Sequence, residues 1–433
     1  MCILEQFNTA DQAAQLRASR ERSRALTRDI HGEQLLGPRL SIVNPFLWEL
    51  GHIAWFQEHW CLRRRDDGSL AAPALPQADA LYDSAAVAHH LRWDLPLPGL
   101  EATLAYQDQV LDLVQERMQR DPDNPRLAYF VQLAVFHEDM HAEAFHYMRQ
   151  TLAYAAPQLP LQGMEGAVGI AEEAGGDAHM PGGRYLLGAG CGPDFVFDNE
   201  KWEHAVELRP FRIARCQVSN AQYAEFVEDD GYLRREFWSE AGWQWREQCG
   251  AQAPRYWREE DGRWQQRRFD TWTPLPLREP VIHVNWHEAE AYCRYAGRRL
   301  PSEAEWEMAA AGSATPAKRR YPWGDAPPDA RRANLEGHAP IAIDALPAGS
   351  SADGCRQLIG NVWEWTDTAF GPYPGFTPDP YKEYSQPWFG THKVLRGGSF
   401  STPARLIRNT WRNFYTPERY DIFAGFRTCA IES

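Results

Sequence analysis

His137 and His141 lie four residues apart in the run Phe136-His137-Glu138-Asp139-Met140-His141-Ala142-Glu143. On a helix this spacing stacks two imidazoles one turn apart on the same face. Two imidazoles so placed can bind one metal ion, although a helical pair that simply reaches solvent is the commoner use of H-x-x-x-H. A third candidate, His52, lies upstream on the stripe Trp48, His52, Trp55 and Phe56. On that apolar, inward side an unpaired imidazole would be costly. His59 is a second possibility near the same face, closer to the polar end of its helix. The run also satisfies H-E-x-x-H, in which zinc would activate water and Glu138 would act as general base. No third ligand follows at metalloprotease spacing, and that chemistry leaves His52 unexplained.

The elements that must position these residues are helical. Apolar periodicity predicts helices over residues 10–27, 45–65, 100–120 and 127–154. Pro45 opens the second, a favoured place for proline. Residues 71–80 and 94–98 read as loops, and Asp121-Pro122-Asp123-Asn124-Pro125 breaks the third helix from the fourth. Four helices with mostly short connections predict a four-helix bundle, a fold that builds metal sites from facing core positions. The expected domains are residues 1–156, helical and metal-binding, a linker at 157–179 rich in Pro, Gly and Glu, and a second domain at 180–433. There the pattern changes to short strands and turns, interrupted by helices at 221–227 and 286–296. The fold class expected is α+β.

With 433 residues the chain is long enough for two sizeable cores, and 44% hydrophobic content is ordinary for a globular protein. A net charge of −14 argues against a nucleic-acid surface. The run Arg63-Arg64-Arg65, followed by Asp66 and Asp67, reads as a solvated helix end. The eight cysteines are dispersed without a C-x-x-C, which predicts reduced, mostly buried thiols. Cys61 and Cys355 are the two placed near expected surfaces. The first residues lack a signal-peptide pattern and no apolar run approaches membrane-span length, so a cytoplasmic protein without membrane partners is expected. The 18 Trp, concentrated after about Leu186, predict a loop-rich domain with large rings as core filler. No P-loop or G-x-G-x-x-G occurs, so nucleotide binding has no support.

Six motifs follow in order in the second half: Val218-Ser219-Asn220-Ala221-Gln222-Tyr223, Arg299-Leu300-Pro301-Ser302-Glu303-Ala304-Glu305-Trp306-Glu307, Tyr321-Pro322-Trp323-Gly324, Gly360-Asn361-Val362-Trp363-Glu364-Trp365, Leu395-Arg396-Gly397-Gly398-Ser399 and Ala424-Gly425-Phe426-Arg427. Together they resemble the domain of formylglycine-generating enzymes, a variant of the C-type lectin fold. Such a resemblance identifies fold better than activity. Formylglycine-generating enzymes carry paired cysteines before the last motif. Residues 406–413 here hold none, which argues against that activity.

Trp48-Glu49-Leu50-Gly51-His52 together with His137-x-x-x-His141 resembles the three-histidine site of ergothioneine sulfoxide synthases, which join a DinB-like bundle to this lectin-like domain. The resemblance implies non-haem Fe(II) on His52, His137 and His141, with molecular oxygen and hercynine (trimethylhistidine) as substrates. It further implies an active site between the two domains. Tyr373 falls where the family keeps a proton-delivering tyrosine, and Asn413 and Phe414 fall where it contacts the trimethylammonium group. Arg92 and Arg419 match positions that grip the carboxylates of a thiol donor.

Three departures bear on that donor. His89 stands where enzymes using γ-glutamylcysteine have a second arginine, Tyr415 where they have an aspartate, and Met140 where a glutamine helps place hercynine. Losing charged partners favours a neutral donor. The chain therefore resembles most the selenoneine synthase branch, which couples hercynine to a selenosugar. The alternatives are an ergothioneine-type sulfoxide synthase using γ-glutamylcysteine or cysteine, and more remotely a zinc hydrolase or a non-catalytic lectin-like binding protein.

Overall fold

The computed structural model describes residues 9–65, 67–159, 175–192, 194–312 and 318–431. The chain divides into two compact units, Met1–Leu159 with Cys191–Phe195, and Pro160–Gly190 with Val196–Ser433. Residues 160–174, most of the expected linker, lie outside the described residues, as do Cys2 and Asp66.

The first unit is built from α1 (Thr9–Thr27), α2 (Phe46–Glu58), α3 (Ala78–Tyr82), α4 (Leu100–Arg120) and α5 (Pro125–Thr151). α1 packs on α5, and α2 packs on both α4 and α5. Phe46, Leu50, Ile53, Phe145 and Met148 fill the core between α2 and α5.

Four local expectations change. First, α5 starts two residues before 127, because the Asn124 side chain accepts from Leu127 N at 2.9 Å and Pro125 takes the first helical position. Second, α2 is buried along its whole length rather than on one stripe. Its polar side chains have buried partners: Glu49 on His141, Gln57 on Arg20 and Glu58 on the Tyr106 hydroxyl. Third, α2 gives way to a wider π turn, His59–Arg63, and Arg63 is not solvated. Its guanidinium is buried and forms a two-bond pair with Asp79 at 2.6 and 2.8 Å. Fourth, the loop expected over 71–80 ends in α3, whose carbonyls matter below.

The second unit contains α6 (Asn220–Glu228), α7 (Glu240–Cys249), α8 (Trp286–Tyr295) and α9 (Glu303–Ala311) among short strands. The strands are β1 (Asp177–Met180), β2 (Gly183–Leu187), β3 (His204–Leu208), β4 (Phe211–Ala214), β5 (Trp257–Glu260), β6 (Arg263–Arg268), β7 (Thr271–Pro274), β8 (Arg298–Arg299), β9 (Trp363–Ala369), β10 (Lys393–Arg396), β11 (Asn413–Tyr415), β12 (Ala424–Gly425) and β13 (Cys429–Ala430). Two four-stranded sheets have the orders β1-β4-β13-β8 and β11-β10-β9-β12. β2–β3 form a hairpin and β5–β7 a meander. Pairing of β11 with β10 sets Asn413, Phe414 and Tyr415 opposite Leu395, Val394 and Lys393 on a sheet edge.

Large rings do fill this core: Trp306, Trp363 and Trp365 are fully buried. So are four arginine–glutamate pairs: Arg396–Glu307, Arg408–Glu200, Arg412–Glu303 and Arg427–Glu364. Two of these, Arg396–Glu307 and Arg427–Glu364, join residues of the recognisable motifs, and Glu303 of a third is also a motif residue, so those motifs encode much of the skeleton of the domain.

The expectation of uniformly reduced cysteines fails at Cys191, which is disulfide-bonded. Dispersal along the chain says nothing of distance in space, and Cys191 sits on an exposed turn where pairing is sterically open. Cys61 and Cys355, expected near the surface, are buried, and burial raises both thiols. Neither has the exposed thiolate that redox chemistry needs. No helix among the described residues is long and apolar enough to cross a membrane.

Candidate metal centre

α2 and α5 bring His52, His137 and His141 together, each with a ring nitrogen within 4.8 Å of the others'. Ring centroids are 5.0 Å apart for His52 with each partner and 4.5 Å for His137 with His141. His52 and His137 are buried and His141 is 19% exposed along its side chain. Burial, with the neighbouring His141 adding to it, pushes both His52 and His137 well below the ordinary imidazole range. Neutral imidazoles are the form a metal requires.

Hydrogen bonds decide which nitrogen two of the rings, His52 and His141, offer. His52 Nδ1 lies 2.8 Å from the Tyr82 carbonyl, which can only accept. Nδ1 therefore carries the proton and Nε2 the lone pair. His141 Nδ1 lies 2.7 Å from Glu49 Oε2. Burial raises the Glu49 carboxyl, but its interaction and hydrogen bond with His141, with help from Asn44, bring it below its ordinary value. As a carboxylate it too only accepts, and His141 Nε2 is left available. His137 stacks flat on Phe56, centroids 3.6 Å apart and planes within 3°. The donor set therefore fits one metal ion, with second-sphere contacts of the kind that orient metal-binding imidazoles.

The alternatives to this assignment fall on geometry. Glu138, the base of the hydrolase reading, is buried in an ion pair with Arg20 at 2.8 Å. His59 packs beside Trp55 and Trp60 and does not join the cluster.

The other expected residues of the first unit are differently engaged. Arg92 is 8% exposed; its Nη1 donates to Asn44 Oδ1 at 2.7 Å, and its guanidinium lies 3.9 Å above the Trp48 ring. His89 Nε2 lies 2.8 Å from the Val43 carbonyl, with its ring edge-on to Trp93. Met140 is half-buried between the two histidines of α5.

In the second unit Tyr373 is 5% exposed, with Arg412 stacked 4.1 Å over its ring and His204 at 4.6 Å. A Cβ on Gly188, which has φ +98°, would come 2.8 Å from the Tyr373 ring, so glycine is needed there. Burial pushes the Tyr373 hydroxyl well above the ordinary phenol range, and the adjacent Arg412 only partly offsets this. Phe414 stacks on Phe370 at 4.0 Å, with Tyr384 and His392 edge-on. Asn413 Oδ1 accepts from the backbone N–H of Phe414. Arg419 is paired with Asp421 through bonds of 2.6 and 2.7 Å, and its guanidinium lies 4.9 Å over Tyr415.

Sequence reasoning missed Glu49, Asn44 and the Tyr82 carbonyl. Glu49 had a signal, since it precedes His52 by three residues and so lies near the same helix face. A backbone carbonyl carries none.

Two family models match the chain: the DinB superfamily over residues 15–145 and the sulfatase-modifying factor enzyme 1-like domain over residues 171–431. Hercynine oxygenase of Mycolicibacterium thermoresistibile is 39% identical, covering 96% of this chain and 94% of that protein. The hercynine oxygenase of Mycolicibacterium smegmatis is 38% identical, covering 89% of this chain and 91% of its own. A formylglycine-generating enzyme of Streptomyces coelicolor is 32% identical over 65% of this chain.

Proposed function

The chain belongs to the hercynine oxygenase family, and on that premise we propose that it forms a carbon–selenium bond at the imidazole C2 of hercynine, with Fe(II), oxygen and a selenosugar donor, giving selenoneine. It is an oxygen-dependent oxidoreductase, and the cluster of three buried histidines carries the metal part of the reading. His52, His137 and His141 would hold the iron, which when bound supplies the one-electron chemistry that makes oxygen reactive.

The remaining roles belong to the chain's own side chains. The Phe414 ring offers an aromatic face to a quaternary ammonium, which has no N–H to donate and binds ring faces well. Asn413 places a polar amide beside it. The Tyr373 hydroxyl keeps its proton at neutral pH, as a proton donor must, and Arg412 and Glu303 hold its ring in place. Arg419 faces an acidic group of a substrate only by sharing or releasing Asp421.

The donor assignment rests on His89, Tyr415 and Met140. His89 is turned to a backbone carbonyl, Tyr415 lies under Arg419, and Met140 carries no charge. None provides the ionic partner that the ammonium or carboxylates of an amino-acid thiol would use. The relatives' printed name, hercynine oxygenase, supports the second reading, a sulfoxide synthase joining hercynine to γ-glutamylcysteine or cysteine. A donor competition separates them. Protein loaded anaerobically with Fe(II) receives hercynine and oxygen with selenosugar, γ-glutamylcysteine or cysteine, and products are read by mass spectrometry. Selenoneine from the sugar alone supports the selenium reading. A sulfoxide from either thiol replaces it, and no product from any donor removes the proposal.

A further inference from the structure

We propose that Arg92, Asn44 and Glu49 form a positioning relay that fixes the tautomer and orientation of His141, and that Arg92 acts through this relay rather than by gripping substrate. The inference rests on the reading that the three histidines hold a metal.

The relay is continuous. Arg92 Nη1 donates to Asn44 Oδ1 at 2.7 Å, Asn44 Nδ2 donates to Glu49 Oε1 at 2.7 Å, and Glu49 Oε2 lies 2.7 Å from His141 Nδ1. Its polarity follows from its two charged members. A guanidinium has only donors, so it must face the oxygen of the Asn44 amide. The Asn44 nitrogen is then turned towards Glu49, and a carboxylate has only acceptors. His141 must therefore donate from Nδ1, and its lone pair is directed from Nε2. An amide alone could be turned either way; the arginine at the far end removes that freedom.

The same guanidinium also supports a second ligand. It lies 3.9 Å over Trp48, whose ring stacks on His52 at 4.8 Å with planes within 11°. Trp48 Nε1 donates to the Leu81 carbonyl, next to the Tyr82 carbonyl that holds His52. Arg92 thus reaches His141 through hydrogen bonds and His52 through stacked rings. Its capacity to bind anything else is small. Nη2 faces the Ser84 and Val87 carbonyls, Nε is buried, and the residue as a whole is 8% exposed.

The test measures metal binding apart from turnover, on the full chain. Co(II) is titrated into metal-free wild type, Glu49→Gln, Arg92→Gln and Arg92→Lys, following the visible absorption bands, and Fe(II) affinity is measured by chelator competition. Loss of a second-sphere partner weakens metal binding about 10- to 100-fold. Glu49→Gln and Arg92→Gln should both show this, with altered Co(II) bands, and Arg92→Lys should restore part of it. The donor's KM should stay within about twofold of wild type in Arg92→Gln. Circular dichroism confirms that each variant is folded, and Asn44→Ser replaces any that is not. Unchanged metal affinity and bands in the Glu49 and Arg92 variants, with a raised donor KM in Arg92→Gln, would overturn the relay and return Arg92 to the substrate site. If wild type binds neither ion, the metal reading itself fails, and the relay falls with it.

Discussion

In the helical unit the buried Glu49 and Arg92 converge, through Asn44, on one imidazole of the three-histidine cluster. In the second unit Arg396, Arg408, Arg412 and Arg427 are also buried, yet each closes on a glutamate, two of them on α9, and ties separate elements together. The difference lies in what stands at the end of each network. The first leads to a histidine with a nitrogen to spare; in the second, Arg427 reaches the carbonyls of Ala214, Arg215 and Arg356, and the Arg412–Glu303 pair alone ends on a candidate reactive side chain, Tyr373. Buried charge surrounds the proposed metal site in one unit and mainly ties structural elements together in the other.

Perturbing the two networks should separate function from stability. The largest effect is expected for His137→Ala, which removes a proposed iron ligand. It should abolish iron binding and turnover while the apo protein keeps its helical circular dichroism; iron-dependent activity in this variant would dissolve the contrast. Next comes Glu364→Gln in the second unit. It leaves the Arg427 guanidinium buried without its charge partner, and breaking such a pair costs about 3–5 kcal/mol. A urea midpoint near that of wild type would show that this pair is not structural.

Gly51→Ala tests the support of His52 more gently. An added Cβ would lie 2.2 Å from the Tyr82 ring, and overpacking of this kind costs about 1–3 kcal/mol. Because the Tyr82 carbonyl holds His52, metal affinity should fall along with thermal stability. An effect on stability alone would separate the packing from the site.

A smaller effect concerns pH and the second unit. Burial pushes His283 down to about 3, only partly opposed by the Tyr420 carbonyl. An unfolded histidine titrates near ~6.5. Between those values the unfolded chain takes up a proton that the folded chain refuses. Stability contributed by this residue is therefore full above ~6.5 and falls towards acid, with a slope approaching ~1.4 kcal/mol per pH unit. His283→Gln should flatten the dependence of the urea midpoint between pH 6.5 and 4. The mildest change, Tyr373→Phe, should preserve the fold and lower the rate or alter the product ratio; unchanged kinetics would leave Tyr373 a core residue.

Much of this contrast was legible in the residues. The spacing of His137 and His141, and the stripe carrying His52, placed the three imidazoles on facing helices because helical periodicity is a local property. The six motifs of the second half indicated its fold for a different reason: Glu307, Glu364, Arg396 and Arg427 are the buried pairs themselves. What stayed hidden depended on distance in space. Nothing local tells that Arg63 would turn inward to Asp79, that every position of α2 would be covered, or that Cys191 would be bonded. Arg92 shows the limit most clearly. The resemblance implied a substrate grip there, and no local signal shows that its donors face Asn44 and the Ser84 and Val87 carbonyls.

His52, His137 and His141 are proposed to hold the iron that reacts with oxygen in the presence of hercynine. The direct measurement is anaerobic Fe(II) binding to wild type and to His137→Ala, followed by oxygen uptake with and without hercynine. Tight binding of a single Fe(II) per wild-type chain, hercynine-dependent oxygen uptake, and the loss of both in the variant are expected. Equal iron binding and equal oxygen uptake in the two proteins would contradict it.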